Sequence, residues 1–442
     1  LHFKSLRGGL LMFSQVGIWL LTGGPSQAAV TPSNALADPQ SYTGVSGIPP
    51  IQVGSDLLYI EGKGYSVRLL SYNDFSKVYS GEDKSILSNH LFSKNKQIVS
   101  WSFAENPYKM VIGVRSDGAL LMFTSVKEQD VYAWTWGATK GWFKSILCIS
   151  EDGQDRPYVV VERIIAGLRV KYLERLVIEE WQNIEDSFCV DSGLRYEPAV
   201  QAGTISISLE TDDGTDSWVT LTGSGGASFT GKQGWWVRAG GGIFAIQNVT
   251  SATVATAKVI RSATQVIPGY EDKRVQPALA WAASQARKEF TGLQHLEGEI
   301  VSILGDGNVF TPQQVINGKV TLPDGVSKAR IGLGFECVGQ TLPQTVPDTP
   351  IESRRKRIVA IATRLYKTRG LEMGRSLKEL YEVRERTNEM YGTPTQEVNG
   401  IKYQLLSTDW NEDEQTYFVQ RNPLPASILG LVPDLEVGDD TN

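Results

Sequence analysis

The sequence predicts an all-β chain: a β-propeller-type domain with a small β-barrel insertion and additional C-terminal β-strands. Three observations predict it. The 442 residues include 44 glycines, 16 tyrosines and 11 tryptophans, a composition of strands and tight turns. A pattern of apolar run, turn and second apolar run recurs four times in the first 180 residues. Beyond residue 200 the texture changes to short alternating strands joined by glycine and Thr-Ser turns.

The first element is "GGLLMFSQVGIWLLTGG", residues 8–24. Lys4 and Arg7 precede this apolar run and "SQAA" follows it, so in outline it also fits a cleaved secretory signal. The recurrence decides for a hairpin. Leu10-Leu11-Met12-Phe13 returns as Leu120-Leu121-Met122-Phe123, and looser relatives stand at 56–70 and 157–176. A signal has no reason to recur inside its own protein. Leu11, Phe13, Ile18 and Leu20 are the candidates for its buried face. The hairpins start at 10, 57, 120 and 157, the ragged spacing of propeller blades. Between them "EDKSILSNHLF" (82–92) reads as a short helix packed outside a blade. Residues 1–195 are therefore assigned to the propeller-type domain.

Residues 196–275 are assigned to an inserted barrel or sandwich, built from "TISISLETDDGTDSWVTLTG" and "GWWVRAGGGIFAIQNVTSATVATAKVI". Residues 276–340 return to the main body as strands punctuated by "GDG", "NG" and "PDG" turns. Within them "PALAWAASQARKEF" has helical propensity, with Pro277 in a first-turn position. Residues 341–442 form a C-terminal β region with a flexible acidic tail. Its long strand is "RIVAIATRLYKT", while "SLKELYEVRER" fits helix and strand alike.

Composition narrows function. A net charge of −6 and a pI near 5.4 argue against a basic face that grips nucleic acid. Cys148, Cys189 and Cys337 form no CxxC pair, so neither a disulfide framework nor a zinc site is indicated. No stretch is long and apolar enough for a membrane-spanning helix. The chain begins at Leu1 rather than methionine, which suggests that an upstream part is missing.

The search for chemistry yields no catalytic, cofactor-binding or metal residues. His2, His90 and His295 lie in unrelated contexts without a nucleophile beside them. "TDDGTD" (211–216) misses the calcium-loop spacing and reads as a turn. "AGGGIF" (239–244) lacks the Lys and Ser/Thr of a phosphate loop. Glu179 and Glu180 are adjacent, so on a strand they point to opposite faces. "ESRRKR" (352–357) is the one dense basic run and reads as a solvated strand start. Trp235 and Trp236 read as barrel core and rim, with a receptor contact as the alternative. The expectation is a protein that is not an enzyme and needs no cofactor.

"GVSGIPPIQVGSDLLYI", "LSNHLF", "QIVSWSFAENPYKMVIGVRSDGALLMFTSVKEQDVYAW", "RPYVVVERIIAGLRVKYLERL", "GLQHLEGEIVSILGDG" and "RNPLPASILGLVPDLEVG" occur in that order. Together they resemble the tail nozzle proteins of short-tailed bacteriophages (tail tubular protein B, or packaged-DNA stabilisation protein). The resemblance covers essentially the whole chain. It implies a virion tail subunit in a six-fold homo-oligomeric ring below a tail adaptor, with tail fibres or spikes as further neighbours. Double-stranded DNA would pass through the ring without sequence-specific binding, and contact with the host envelope is a further expectation. An acidic lumen would repel the phosphates. Family members usually carry several hundred residues more upstream, including further blades. The alternative reading is a propeller-fold tail hydrolase or receptor-binding module acting on host surface glycans.

Overall fold

The opening run folds as the hairpin that its alternation dictates. β2 (Gly9–Phe13) and β3 (Ile18–Thr22) pair antiparallel, with Met12 opposite Trp19 and Phe13 opposite Ile18. Leu11, Phe13, Ile18 and Leu20 are all buried, as the period of two requires. Ser14 Oγ closes the turn by accepting from Gly17 N at 3.2 Å.

The computed structural model describes residues 1–6, 9–24, 29–75, 78–177, 181, 183–263, 276–345, 354–385, 394–406 and 409–438. The chain divides into two compact units, Leu1–Glu179 and Glu180–Asn442. The first boundary thus falls before residue 195, and the strand that follows it belongs to the second unit.

The first unit is a stack of antiparallel meanders, each holding one of the four hairpins seen in the sequence. The first sheet adds β1 (His2–Leu6) and β4 (Leu36–Ser41) to β2 and β3. The second holds β5 (Ile51–Val53), β6 (Asp56–Ile60), β7 (Val67–Asn73) and β8 (Val78–Asp83). The third holds β9 (Ile98–Ala104), β10 (Met110–Arg115), β11 (Leu120–Val126) and β12 (Val131–Gly137). The fourth has three strands, β13 (Trp142–Glu151), β14 (Gln154–Ile165) and β15 (Leu168–Arg175).

Each sheet packs on the next. One core joins Leu11 and Phe13 to Leu57, Tyr59 and Tyr79. A second joins Leu58, Val67 and Leu69 to Val111, Leu121 and Phe123. A third joins Ile112, Val114 and Leu120 to Phe143, Val159 and Val161. Face-to-face packing of successive small meanders is the β-propeller plan. The stretch 82–92 contains a 3-10 turn, Ile86–Leu91. Its Leu91 and Phe92 enter the second core while Leu87 stays in solvent.

The second unit begins with β16 (Asp191–Tyr196), which pairs with β30 (Ala329–Leu333) from far along the chain. Between them the chain makes an excursion. Its strands are β17 (Ala199–Val200), β18 (Thr204–Ile207), β19 (Thr211–Asp212), β20 (Ser217–Ser224), β21 (Trp235–Ala239), β22 (Gly242–Ser251), β23 (Val254–Arg261), β24 (Gln276–Leu279) and β25 (Trp281–Gln285). β24 pairs with β18 and β25 pairs with β21, and only Ala280 separates the two. One bent run therefore joins both ends of the sheet and closes it into a barrel around Ile205, Leu221, Phe229, Val237, Phe244 and Ala283. The excursion runs as far as Gln285, the last residue of β25. "PALAWAASQARKEF" is strand, not helix: barrel closure overrides the propensity of its alanines.

The body beneath the barrel holds β16 and β30 with β27 (Ile300–Gly305) and β28 (Asn308–Gln314), and a second pair, β26 (Arg287–Thr291) with β29 (Lys319–Val326). Phe290, Leu293, Val301, Ile303, Val320 and Ile331 share its core. "GDG" and "NG" are hairpin turns in which Asp306 (φ 46°), Gly307 (φ 82°), Asn317 (φ 53°) and Gly318 (φ 67°) are left-handed. "PDG" is not a turn: residues 323–325 lie inside β29 beside an irregularity in its pairing with β26.

The C-terminal part holds β31 (Cys337–Gln340), β32 (Lys356–Thr368), β33 (Glu372–Ser376), β34 (Glu379–Glu382), β35 (Val398–Leu405), β36 (Tyr417–Gln420) and β37 (Ile428–Val437). They form two sheets over one core that includes Ile361, Leu365, Met373 and Val383. "SLKELYEVRER" is thus a turn and a strand. The last four tail residues lie outside the described residues.

Candidate functional site

A cluster of charged side chains, several of them buried, lies where the inserted barrel meets the body. Arg238 is on β21 between Val237 and Ala239, both of which face the barrel core. Alternation therefore turns Arg238 outward, towards the body. Arg261 ends β23, and Glu185 comes from a single 3-10 turn, Ile184–Asp186, ahead of β16. Arg238 Nη1 donates to Glu185 Oε1 at 2.8 Å. Arg261 donates to both oxygens of the same carboxylate, at 2.8 and 2.5 Å.

Asp306, in the β27–β28 turn, completes the cluster. It accepts from Arg238, from Ser327 N at 2.8 Å and from Lys328 N at 2.9 Å. Beside it Lys328 pairs with Asp186 and Glu197, and Arg330 reaches Glu197 at 2.5 Å. Glu185, Asp186, Glu197, Arg238, Arg261 and Lys328 border an open cleft of about 510 Å³, also lined by Gly240, Gly241 and Trp281.

Glu185 is only 3% exposed. Burial would raise its pKa, but the hydrogen bonds and charge of Arg261 and the charge of Arg238 outweigh that and hold it at about 2. A carboxylate held there stays ionised near neutral pH and cannot exchange protons as a general acid or base. The cluster sets Arg238, Arg261, Lys328 and Arg330 against Glu185, Asp186, Glu197 and Asp306, so its formal charges balance. Its chemistry is that of a clamp that fixes the barrel on the body.

The residues singled out in the sequence do not converge. His90 is exposed, His2 contacts Gly47 O at 3.2 Å, and His295 contacts Ser192 O at 2.8 Å. Glu297, near His295, accepts from the backbone of Asn317 and Gly318 at 2.8 and 2.6 Å, a local turn bond. "TDDGTD" is a turn: Asp212 accepts from Gly214 N, and Asp213 accepts from Thr215 N, Asp216 N and Trp218 Nε1. Gly240 and Gly241 turn the chain between β21 and β22.

The basic run is not a uniformly solvated strand start. Lys356 is buried and donates to Gln344 O at 3.2 Å, while Arg357 pairs with Glu436 and lies over the Trp410 ring. Trp235 packs against the barrel core and Trp236 is half-buried. Glu179 and Glu180 lie outside the described residues. No group of three or more His, Cys, Asp or Glu suited to a metal occurs among the described residues. Sequence reasoning missed the clamp because its members are spread from Glu185 to Arg330. The available signal was an arginine within one barrel strand, "WWVRA", and another at the end of a second, "VATAKVIR".

No family model and no curated protein matches the chain. Among solved structures it is similar to Trypanosoma rangeli sialidase, at 10% identity and a TM-score of 0.21, over 99% of this chain and 90% of that one. It is also similar to Bombyx mori GH32 beta-fructofuranosidase BmSUC1, at 12% identity and a TM-score of 0.20, over 96% and 91%. Both are enzymes by name, and the expectation of a non-enzyme is corrected on that finding. At these identities and TM-scores neither activity, substrate nor residue is carried to this chain. The all-β fold stands on the chain's own sheets.

Proposed function

We propose that the chain is a structural subunit of the tail nozzle of a short-tailed bacteriophage. Copies of it form a ring around the channel that retains the genome and then conducts it during ejection. The observation that carries this reading is the ordered run of nozzle-like phrases from Gly44 to Gly438. The fold agrees with it: a stack of β-sheets, a closed barrel and a strand body offer packing surfaces to neighbouring subunits. The clamp around Glu185 holds the barrel in one orientation on the body, which a repeating assembly requires. The net charge of −6 disfavours adhesion of the passing DNA.

The test is binding of the purified chain to phage heads that carry the tail adaptor but lack a nozzle. The chain is expected at the tail vertex, with the genome retained in the heads. Failure to bind such heads refutes the reading.

A further inference from the structure

Two of the chain's three cysteines lie at one end of one strand pair. The ladder between β16 and β30 ends on this side with Asp191 opposite Leu333. Beyond that pair the antiparallel strands leave from the same end. Cys189 stands two residues before Asp191, and Cys337 four residues after Leu333. Even offsets from an opposed pair put both side chains on one face of the continued ladder. Opposed Cα atoms in such a ladder are about 4.5–5.5 Å apart, inside the limit of roughly 7 Å for a disulfide. Residues 334–336 carry no strand pairing, so the longer arm is not held to the ladder's line.

The two thiols also feel one another. Burial, with Cys337 beside it, pushes the Cys189 pKa up, and burial, with Asp191 beside it, pushes up that of Cys337. Both are free thiols in this structure, Cys189 half-buried and Cys337 exposed. Cys148, the third, is on β13 of the first unit.

We propose that Cys189 and Cys337 join in a disulfide when the chain passes from reducing to oxidising surroundings, a redox staple between the body and the C-terminal sheets. Cys189 leads into β16 of the body, and Cys337 opens β31 of the C-terminal part. The whole inserted barrel lies in the loop that the bond closes. Closing so long a loop removes much of the freedom of the unfolded chain. The oxidant is a small disulfide such as oxidised glutathione. The exposed Cys337 thiolate attacks it, forms a mixed disulfide and releases one glutathione. Cys189 then gives up its proton and attacks the Cys337 sulfur, releasing the second. Two protein thiols and one glutathione disulfide thus become one protein disulfide and two glutathione thiols. Burial makes Cys189 a poor nucleophile towards free reagents, but a mixed disulfide on its neighbour is reached without diffusion. The staple forms whether or not the chain is a tail subunit.

The experiment uses the full chain, reduced, freed of reductant and held folded in oxidised glutathione at pH 8 for some hours, the time scale of uncatalysed exchange. Iodoacetamide in urea then blocks the remaining thiols, and peptide mass spectrometry without reduction reads the pairing. Most of Cys189 and Cys337 is expected in one linked peptide pair, with Cys148 joined to neither. The thermal midpoint of the second unit is expected to rise by about 5 °C or more and to fall back on adding dithiothreitol. Cys337→Ser, a change at an exposed position, is expected to abolish both the pair and the rise. A Cys337 that stays unlinked to Cys189, as a thiol or as a mixed disulfide with glutathione, overturns the proposal. So does a link from Cys337 to Cys148 or to Cys337 of a second copy, or a Cys189–Cys337 pair that forms only in urea.

Discussion

Replacing Glu185 by Gln keeps the shape of the side chain and removes its charge from between Arg238 and Arg261. Two routes give the magnitude. The interval between the ordinary carboxyl value of 4.5 and the value of about 2 that the arginines impose corresponds to about 3 kcal/mol at neutral pH. Removing one partner from a buried ion pair costs about 3–5 kcal/mol, because the charge left behind is uncompensated. Arg238 keeps Asp306, and Arg261 keeps a bond to Gly241 O at 3.0 Å, so the lower end of that range applies. The folded pKa lies below the unfolded one. The stabilisation is therefore complete above about pH 4.5 and is lost as pH falls towards about 2. Urea unfolding at pH 7, followed by tryptophan fluorescence, should show the transition of the barrel-bearing unit weakened by about 3 kcal/mol in Glu185→Gln. The difference from wild type should shrink steadily below pH 4.5. A loss below about 1 kcal/mol at pH 7, or a difference that does not narrow in acid, refutes the clamp.

Three further outcomes follow from the geometry. Phe13→Ala empties a fully buried position between the first two sheets and should cost about 3–5 kcal/mol in denaturant unfolding of the first unit. Gly203 has φ +70° and a Cβ there would lie 2.3 Å from Ser224 O. Gly203→Ala should lower barrel stability by at least about 1 kcal/mol, read from the thermal midpoint. Burial, with the neighbouring Cys337 thiol, pushes the Cys189 pKa up to about 12. Iodoacetamide at pH 8 should therefore label Cys189 about a thousand-fold more slowly in the folded chain than in urea, as peptide mass spectrometry would record.

What was legible in the sequence follows the range of the interactions. The 9–22 hairpin could be read because its alternation, its turn and its buried set are all local. The four recurrences mapped one to a sheet for the same reason. The barrel was visible as texture, but its closure was not: β24 and β25 are fixed by pairings with β18 and β21, some seventy and fifty residues away, and these override the helix propensity of "PALAWAASQARKEF". "PDG" misled because Pro and Gly usually mark turns, whereas here an irregular stretch of β29 accommodates them. The pairing of β16 with β30 spans the whole insertion and leaves no local trace. Glu185 was silent too, since the arginines that define it lie on barrel strands and Asp306 on a distant hairpin turn.

The most direct test of the proposed role is the mass and symmetry of the assembled particle, by native mass spectrometry with class averages from electron microscopy. The account predicts six copies arranged around a central hole. A particle without six-fold symmetry, or a chain that remains monomeric even on its adaptor ring, would contradict it.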